Sequence, residues 1–258
     1  MNRDSGAAFR ASPGKIIFLR ERAVIMLKKE IILRNPLRIL GEKENPLAPG
    51  SLGGVIAKAG VGKTAFLVQL ALNNLVKGKN VLHISLDEPV RKVCLWHEEV
   101  FQNIAKDYHL EVPGEIWESI LPQRFIMTFK ADDFDAAKVQ ERINDLIDQD
   151  IFFPQLLIID GLPSSAVNRE LISDLKKNVA KELNVPVWLS LRVSQEENME
   201  PGKVPGSLQP IEDLFDILIG LKASQGKIDI MVHKGEEDPS APTMIIDPST
   251  MLIKQSEA

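Results

Sequence analysis

Cysteine is nearly absent from this chain, in which Cys94 is the single cysteine among 258 residues. One cysteine cannot form an intrachain disulfide, and it excludes a zinc site built from several cysteines. Histidine is also scarce, and no two of the four are spaced as a metal-binding pair: His83, His97, His109 and His233. We therefore expect Cys94 and the histidines to be structural or surface residues.

Long apolar runs are missing as well. No stretch approaches the roughly 18 consecutive apolar residues that a membrane-spanning helix needs. The net charge of −5 argues against a constitutive nucleic-acid binder, because such domains are normally basic. A hydrophobic content of 44% and a charged content of 26% are typical of globular proteins. We expect a soluble, cytoplasmic protein that makes no membrane contact.

Residues 1–45 differ from the rest of the chain and are interpreted as a partly ordered leader. Short apolar runs alternate there with arginines, and none is long enough for a secretory signal. The arginines are Arg3, Arg10, Arg20, Arg22 and Arg34. One interpretation is a basic amphipathic arm that docks on a neighbour or an anionic surface. The other is a loosely ordered leader, or translated sequence upstream of a true start at Met26.

Residues 46–258 are predicted to form one nucleotide-binding α/β domain. Apolar strand patterns lie at 52–58, 81–86, 124–129, 155–160 and 185–191. Helical patterns lie at 63–76, 90–108, 134–149 and 171–183. Strands that alternate with helices indicate a mainly parallel sheet with right-handed crossovers. Four further strand patterns follow with short turns at 216–223, 227–234, 243–247 and 251–255. They predict an antiparallel extension of the sheet.

The stretch "AKAGVGKT", residues 57–64, joins the first strand to the first helix. Gly60 and Gly62 carry no side chain, so backbone N–H groups can wrap around a phosphate chain. The helix that starts at Lys63 adds the positive end of its dipole, and the lysine can reach the β- and γ-phosphates. The pattern is G-x-x-x-x-G-K-[ST] with Ala57 at the first glycine position. It predicts an ATP site formed by Ala57, Lys58, Ala59, Gly60, Val61, Gly62, Lys63, Thr64 and Ala65.

Carboxylates follow two other predicted strands. Asp160 ends the apolar run "LLIID", where its side chain would reach the carboxyl edge of the sheet, the edge at which ligands of open α/β sheets bind. Together with the hydroxyl of Thr64, Asp160 would hold Mg²⁺. Asp87 and Glu88 follow the second strand on the same edge, and one of them could orient the water that attacks the γ-phosphate.

The run from Pro46 to Pro89, "PLAPGSLGGVIAKAGVGKTAFLVQLALNNLVKGKNVLHISLDEP", resembles the core of the RecA-like ATPases, especially their KaiC and DnaB-helicase branch. The resemblance extends through Asp160 at the Walker B position and weakens after Ser190. It implies the three-layer RecA-like P-loop NTPase fold with a core strand order of 5-1-4-3-2. It also implies an ATP hydrolase that assembles with itself into a ring, for example a hexamer, or into a filament.

The same resemblance assigns roles to single residues. Glu88 matches the catalytic glutamate, and Asp87 matches the first acid of the KaiC pair, with Lys63 at the phosphates. Lys234 stands where KaiC-like members supply a lysine to the nucleotide of the neighbouring subunit. The arginine expected two residues later is replaced by Glu236, which puts a trans-acting finger in doubt.

Alternatives stay open at this level. Lys58 stands at the signature lysine of the ParA/MinD partitioning ATPases, although those proteins place the loop nearer the N-terminus. Without the arginine, the chain could be a low-turnover nucleotide-binding regulatory module that switches a protein partner. The stretch after the fifth strand, which often contacts DNA in RecA-like proteins, carries more acidic than basic residues: Glu196, Glu197, Glu200, Arg192 and Lys203. Acidic groups beside phosphates weaken binding, so direct DNA contact is disfavoured but stays open.

Overall fold

The computed structural model describes residues 25–26, 28–29, 31–32, 47–235 and 243–256. The predicted boundary between leader and domain at residues 45 and 46 lies outside these ranges, as do the leader arginines. The described residues of the leader are helical, and Ile31 is buried in the apolar cluster on one side of the sheet. Part of the leader therefore packs on the domain of its own chain.

Helices and strands alternate through the first part of the domain. The helices are α1 (Lys63–Val76), α2 (Val90–Asp107), α3 (Pro113–Ile120), α4 (Ala136–Asp148) and α5 (Arg169–Asp174), which continues as a π-helix at Leu175–Lys181. A 3-10 helix spans Gly206–Leu214. The strands are β1 (Leu52–Ala57), β2 (Val81–Ser85), β3 (Arg124–Thr128), β4 (Leu156–Leu162), β5 (Val187–Arg192), β6 (Ile217–Ser224), β7 (Lys227–Lys234), β8 (Met244–Asp247) and β9 (Leu252–Gln255).

In the described residues these nine strands form one sheet in the order β3-β2-β4-β5-β1-β6-β7-β8-β9. The pairs from β3 to β6 are all parallel, and the pairs from β6 to β9 are antiparallel. The predicted mainly parallel α/β sheet with an antiparallel C-terminal extension is confirmed. Strand β6 joins the two parts, because it is parallel to β1 and antiparallel to β7.

The strand order 5-1-4-3-2, counted along the chain, is wrong. Within the described residues strand β3 lies at the edge of the sheet and pairs with β2 alone, so it does not separate β2 from β4. Strand β5, rather than β4, lies next to β1 on that side. The side chains of β3 are half-buried or exposed, which suits an edge strand covered less completely than its neighbours.

The sheet lies between two apolar clusters. Successive residues of β4 alternate between them: Leu156 and Ile158 face α1, α2 and α3, whereas Leu157 and Ile159 face α4 and α5. Because β4 is covered on both faces, it forms a continuous apolar run. Helix α1 is buried from Ala65 to Val76, as a helix packed between the sheet and other elements must be. This rigid packing fixes the start of α1 at the carboxyl edge of β1.

Candidate functional site

The loop between β1 and α1 depends on two glycines with left-handed backbone. Gly60 has φ +74° and Gly62 has φ +94°, values that residues with a Cβ atom rarely adopt. A Cβ at Gly60 would meet nothing within 4 Å, so the backbone conformation, not crowding, requires glycine there. Gly62 immediately precedes α1, so the unpaired N–H groups of the first helical turn face the loop. The local geometry is therefore that of an anion-binding loop.

Lys63 bends back over this loop. Its Nζ donates to the carbonyl oxygens of Ala57 at 3.4 Å and Lys58 at 3.3 Å. Burial lowers the pKa of the Lys63 ammonium; the charge of Asp160 opposes this effect and the charge of Arg192 adds to it. An anion in the loop would favour the charged ammonium and could replace these carbonyl contacts.

The two predicted metal ligands meet directly. Thr64 Oγ1, in the first turn of α1, donates to Oδ2 of Asp160, in β4, at 2.7 Å. Asp160 is buried and its backbone register places it opposite Ser85 of β2. These hard oxygen atoms suit Mg²⁺, which would complete its shell with phosphate oxygens and water. Among the described residues, no group of three or more His, Cys, Asp or Glu side chains is arranged to hold a metal ion.

The two acidic residues after β2, Asp87 and Glu88, lie in different environments. The carboxyl of Asp87 lies so close to Gly161 that a Cβ atom on this glycine would clash with Asp87 Oδ1. Burial raises the pKa of the Asp87 carboxyl, and the charges of Asp160 and Glu88 raise it further. Glu88 accepts a hydrogen bond from Lys92, one turn along α2, and both side chains are partly exposed.

A cleft of about 400 Å³ brings these groups together. Its walls include Gly60, Lys63, Thr64, Asp87, Asp160 and Arg192. Trp96 of α2 and Met251 of the β8–β9 turn add apolar surface. The loop, the hydrogen-bonded side chains of Thr64 and Asp160, and Asp87 thus share one cavity at the carboxyl edge of the parallel strands, which is where open α/β sheets bind ligands.

Arg192 was not predicted as a site residue. It ends β5, opposite Ala57 of β1 in the sheet register, and its exposed side chain lines the cleft. Its side chain forms no hydrogen bond or ion pair with any residue that the structure describes. The predicted fifth strand ended at residue 191, so Arg192 was assigned to the loop that follows it, whereas the structure makes it the last residue of β5. The predicted order had already placed β5 beside β1, and the structure has that pairing.

Two other predicted lysines point away from the cleft. Lys58 Nζ donates to the carbonyl oxygen of Gln195 at 2.5 Å. Lys234 Nζ donates to the carbonyl oxygen of Glu212 at 2.9 Å. Lys234 pairs with Leu218 near the amino end of β6, away from the loop of its own chain. Any contact of Lys234 with a nucleotide would therefore involve a neighbouring chain.

A buried histidine pair lies beneath the site. His83 Nδ1 and His97 Nε2 are 3.1 Å apart, and both rings are completely buried between β2 and α2. Burial lowers the pKa of His83 to about 4 and that of His97 well below its usual range, and the charge of Arg124 adds to both effects. The separation of fourteen positions between the two histidines gave no indication of this contact, because one lies on a strand and the other on a helix.

No helix in the described ranges combines the length and apolarity that crossing a membrane requires. Family models and curated proteins were compared with the chain, and neither comparison gave a match.

Proposed function

We propose that this chain binds ATP with Mg²⁺ and acts as a RecA/KaiC-like ATPase whose nucleotide lies at a subunit boundary of an oligomer. The observation that carries the proposal is the hydrogen bond between Thr64 and Asp160 beside a loop with two left-handed glycines. A glycine-rich loop without a phosphate-binding role would not be expected to place a threonine hydroxyl against a buried carboxylate from a distant strand. A phosphate loop with its metal pair requires this arrangement.

The chemistry of phosphate binding follows from the loop. Backbone N–H groups of residues 60–64 and the dipole of α1 attract the polyphosphate, and the Lys63 ammonium neutralises its charge. A bound Mg²⁺ would offset further charge on the β- and γ-phosphates. Thr64 and Asp160 would hold the metal, and in the structure each already orients the other.

Either acid after β2 could orient the attacking water. Glu88 is the residue that the resemblance assigns, and its ion pair with Lys92 is partly exposed, so it contributes under about 1 kcal/mol and leaves the carboxylate able to turn. Asp87 lies in the cleft beside Asp160, where it would face the metal side of the phosphates. We assign the water-orienting role to Glu88 and a supporting electrostatic role to Asp87.

The strand order supports the RecA-like assignment once β3 is set aside. Without this edge strand, the parallel strands β1, β2, β4, β5 and β6 become the first to the fifth. Their observed order then becomes 5-1-4-3-2. One added edge strand therefore accounts for the difference from the predicted topology.

A second candidate function is a regulatory module that binds nucleotide and turns over slowly. One observation favours it: Lys234 is bound to a carbonyl of its own chain. Such a module would switch a protein partner through its bound state. Direct DNA binding by the stretch after β5 is less favoured, since Glu197 accepts two hydrogen bonds from Ser207 at 2.8 Å and Glu200 pairs with Lys203 at 2.6 Å.

The test combines a mass measurement with a turnover assay, each with and without DNA. For the ATPase we expect Mg²⁺ and ATP to produce oligomers by light scattering, together with phosphate release. Binding without phosphate release would favour the regulatory module. Monomers under all conditions would contradict the subunit-boundary site.

A further inference from the structure

We propose that Arg192 binds the terminal phosphate of the nucleotide from within the same chain, so that the site prefers ATP to ADP. This inference rests on the proposed function and adds to it a residue that determines which nucleotide state is held. It follows from the position of Arg192 in the sheet, its lack of a partner among the residues that the structure describes, and the arginine that the late strands lack in the sequence.

The position of Arg192 is fixed by β5. This strand lies between β1, which carries the loop, and β4, which carries Asp160. Arg192 is the last residue of β5, and the N–H of the next residue, Val193, donates to the Ala57 carbonyl at 3.2 Å. The guanidinium therefore projects from the carboxyl edge between the loop and the metal pair. That is the end of the cleft where the phosphates farthest from the base would lie, because Lys63, Thr64 and Asp160 meet there.

The positive charges of Arg192 and Lys63 in one cleft favour the binding of an anion. The side chain of Arg192 lines the same cleft as that of Lys63. The described residues offer Arg192 no hydrogen-bond or ion-pair partner, and the nearby carboxylate of Asp160 already accepts from Thr64. Two cations that share a cleft repel each other, and a phosphate group between them would relieve this repulsion. The planar guanidinium suits a terminal phosphate, whose oxygens it can bind in pairs.

An arginine in the same chain also compensates for what the late strands lack. Glu236 stands where a trans-acting arginine was expected, and Lys234 is engaged by the Glu212 carbonyl. Arg192 would supply the positive charge at the terminal phosphate without a neighbouring subunit. Nucleotide discrimination would then be a property of the single chain.

The experiment compares the affinities for ATPγS and ADP, each with Mg²⁺, by calorimetric titration of the full chain. Arg192→Ala should weaken ATPγS binding about tenfold or more and ADP binding less than about threefold, since a hydrogen bond to a charged group is lost only with the triphosphate. Arg192→Lys should fall between, because it keeps the charge and loses the paired geometry. Arg142→Ala is the matched control, because Arg142 is an exposed arginine of α4 that pairs with Asp145. It should leave both affinities unchanged.

The outcomes separate this inference from the proposed function. A wild-type chain that binds neither nucleotide would overturn the proposed function and this inference with it. Wild-type binding of both nucleotides, with Arg192→Ala weakening the two equally or not at all, would overturn the role of Arg192 alone. Melting curves of each variant without nucleotide establish that the affinities refer to folded protein.

Discussion

Thr64 and Asp160, 96 positions apart in the chain, are joined by a hydrogen bond of 2.7 Å at the carboxyl edge of the sheet. The helix that follows the loop and the strand that carries the carboxylate therefore place these two groups where they could bind one ligand together. In the proposed function this ligand is Mg²⁺ with the phosphates of ATP.

Replacing Thr64 by valine keeps the shape of the side chain and removes the hydroxyl. We expect Thr64→Val to weaken the Mg²⁺-dependent part of ATPγS binding about tenfold, because one hard oxygen ligand is lost. Binding without Mg²⁺ should change little. Titrations with Mg²⁺ and with EDTA measure the difference, and Thr64→Ser should restore it.

Thr128→Val is the matched control, since Thr128 is exposed at the end of β3. If Thr64→Val binds as the wild type does at every Mg²⁺ concentration, the hydroxyl is not a metal ligand. Its bond to Asp160 would then be structural.

Substitutions of Glu88 and Asp87 should affect nucleotide binding and turnover differently. Glu88→Gln should retain ATP binding and slow hydrolysis by roughly 10²-fold or more, because a neutral amide cannot take a proton from the attacking water. Asp87→Asn should have the smaller effect on turnover. Phosphate release under saturating ATP measures both variants.

The reverse order would reassign the roles. If Asp87→Asn abolishes turnover while Glu88→Gln slows it only slightly, Asp87, which lines the cleft, orients the attacking water. Glu88 would then remain in its ion pair with Lys92.

The buried histidines make stability depend on pH. The folded-state pKa of His83 is lowered to about 4, below the usual 6.5, so the unfolded state binds the extra proton as pH falls. The sign is therefore a loss of stability on acidification, which begins near pH 6.5 and ends near pH 4. Between pH 7.5 and 5.5 the loss from this histidine is about 1 kcal/mol.

Urea unfolding at these two pH values tests this relationship. His83→Asn should reduce the difference between them by about 1 kcal/mol. His109→Asn is the control, because His109 is exposed and has a positive φ that asparagine tolerates. An unchanged pH dependence in His83→Asn would show that protons enter the buried pair in the folded state.

The sequence predicted most elements but only some of their neighbours in the sheet. Helix α1 has the bounds read from its apolar residues, and β7 matches its predicted range of 227–234. Short apolar runs between turns give strand positions, because periodicity is a local property. The position of Arg124–Thr128 in the strand order depends on which edge of the sheet has space, and a local sequence pattern does not show this. The predicted order failed at this strand.

In the candidate site, too, features of local sequence were predicted and contacts between distant elements were missed. The loop and Asp160 were predicted from local patterns, and the fold brings them together. Arg192 was missed because the predicted fifth strand ended at residue 191 and left this arginine in the following loop. The contact between His83 and His97 was missed because it joins a strand and a helix that are adjacent only in the fold. Helix α3 carried a signal that was overlooked: Pro113 at its first position and Glu115 in its first turn.

The proposed function requires the loop from Ala57 to Thr64 to bind the phosphates of a nucleotide. The decisive measurement is calorimetric titration of the wild type and Lys63→Ala with ATPγS and Mg²⁺, with Lys177→Ala as control because Lys177 is an exposed lysine of the π-helix. We expect saturable binding by the wild type and the control and none by Lys63→Ala. Equal affinity in all three proteins, or no binding by the wild type, would contradict it.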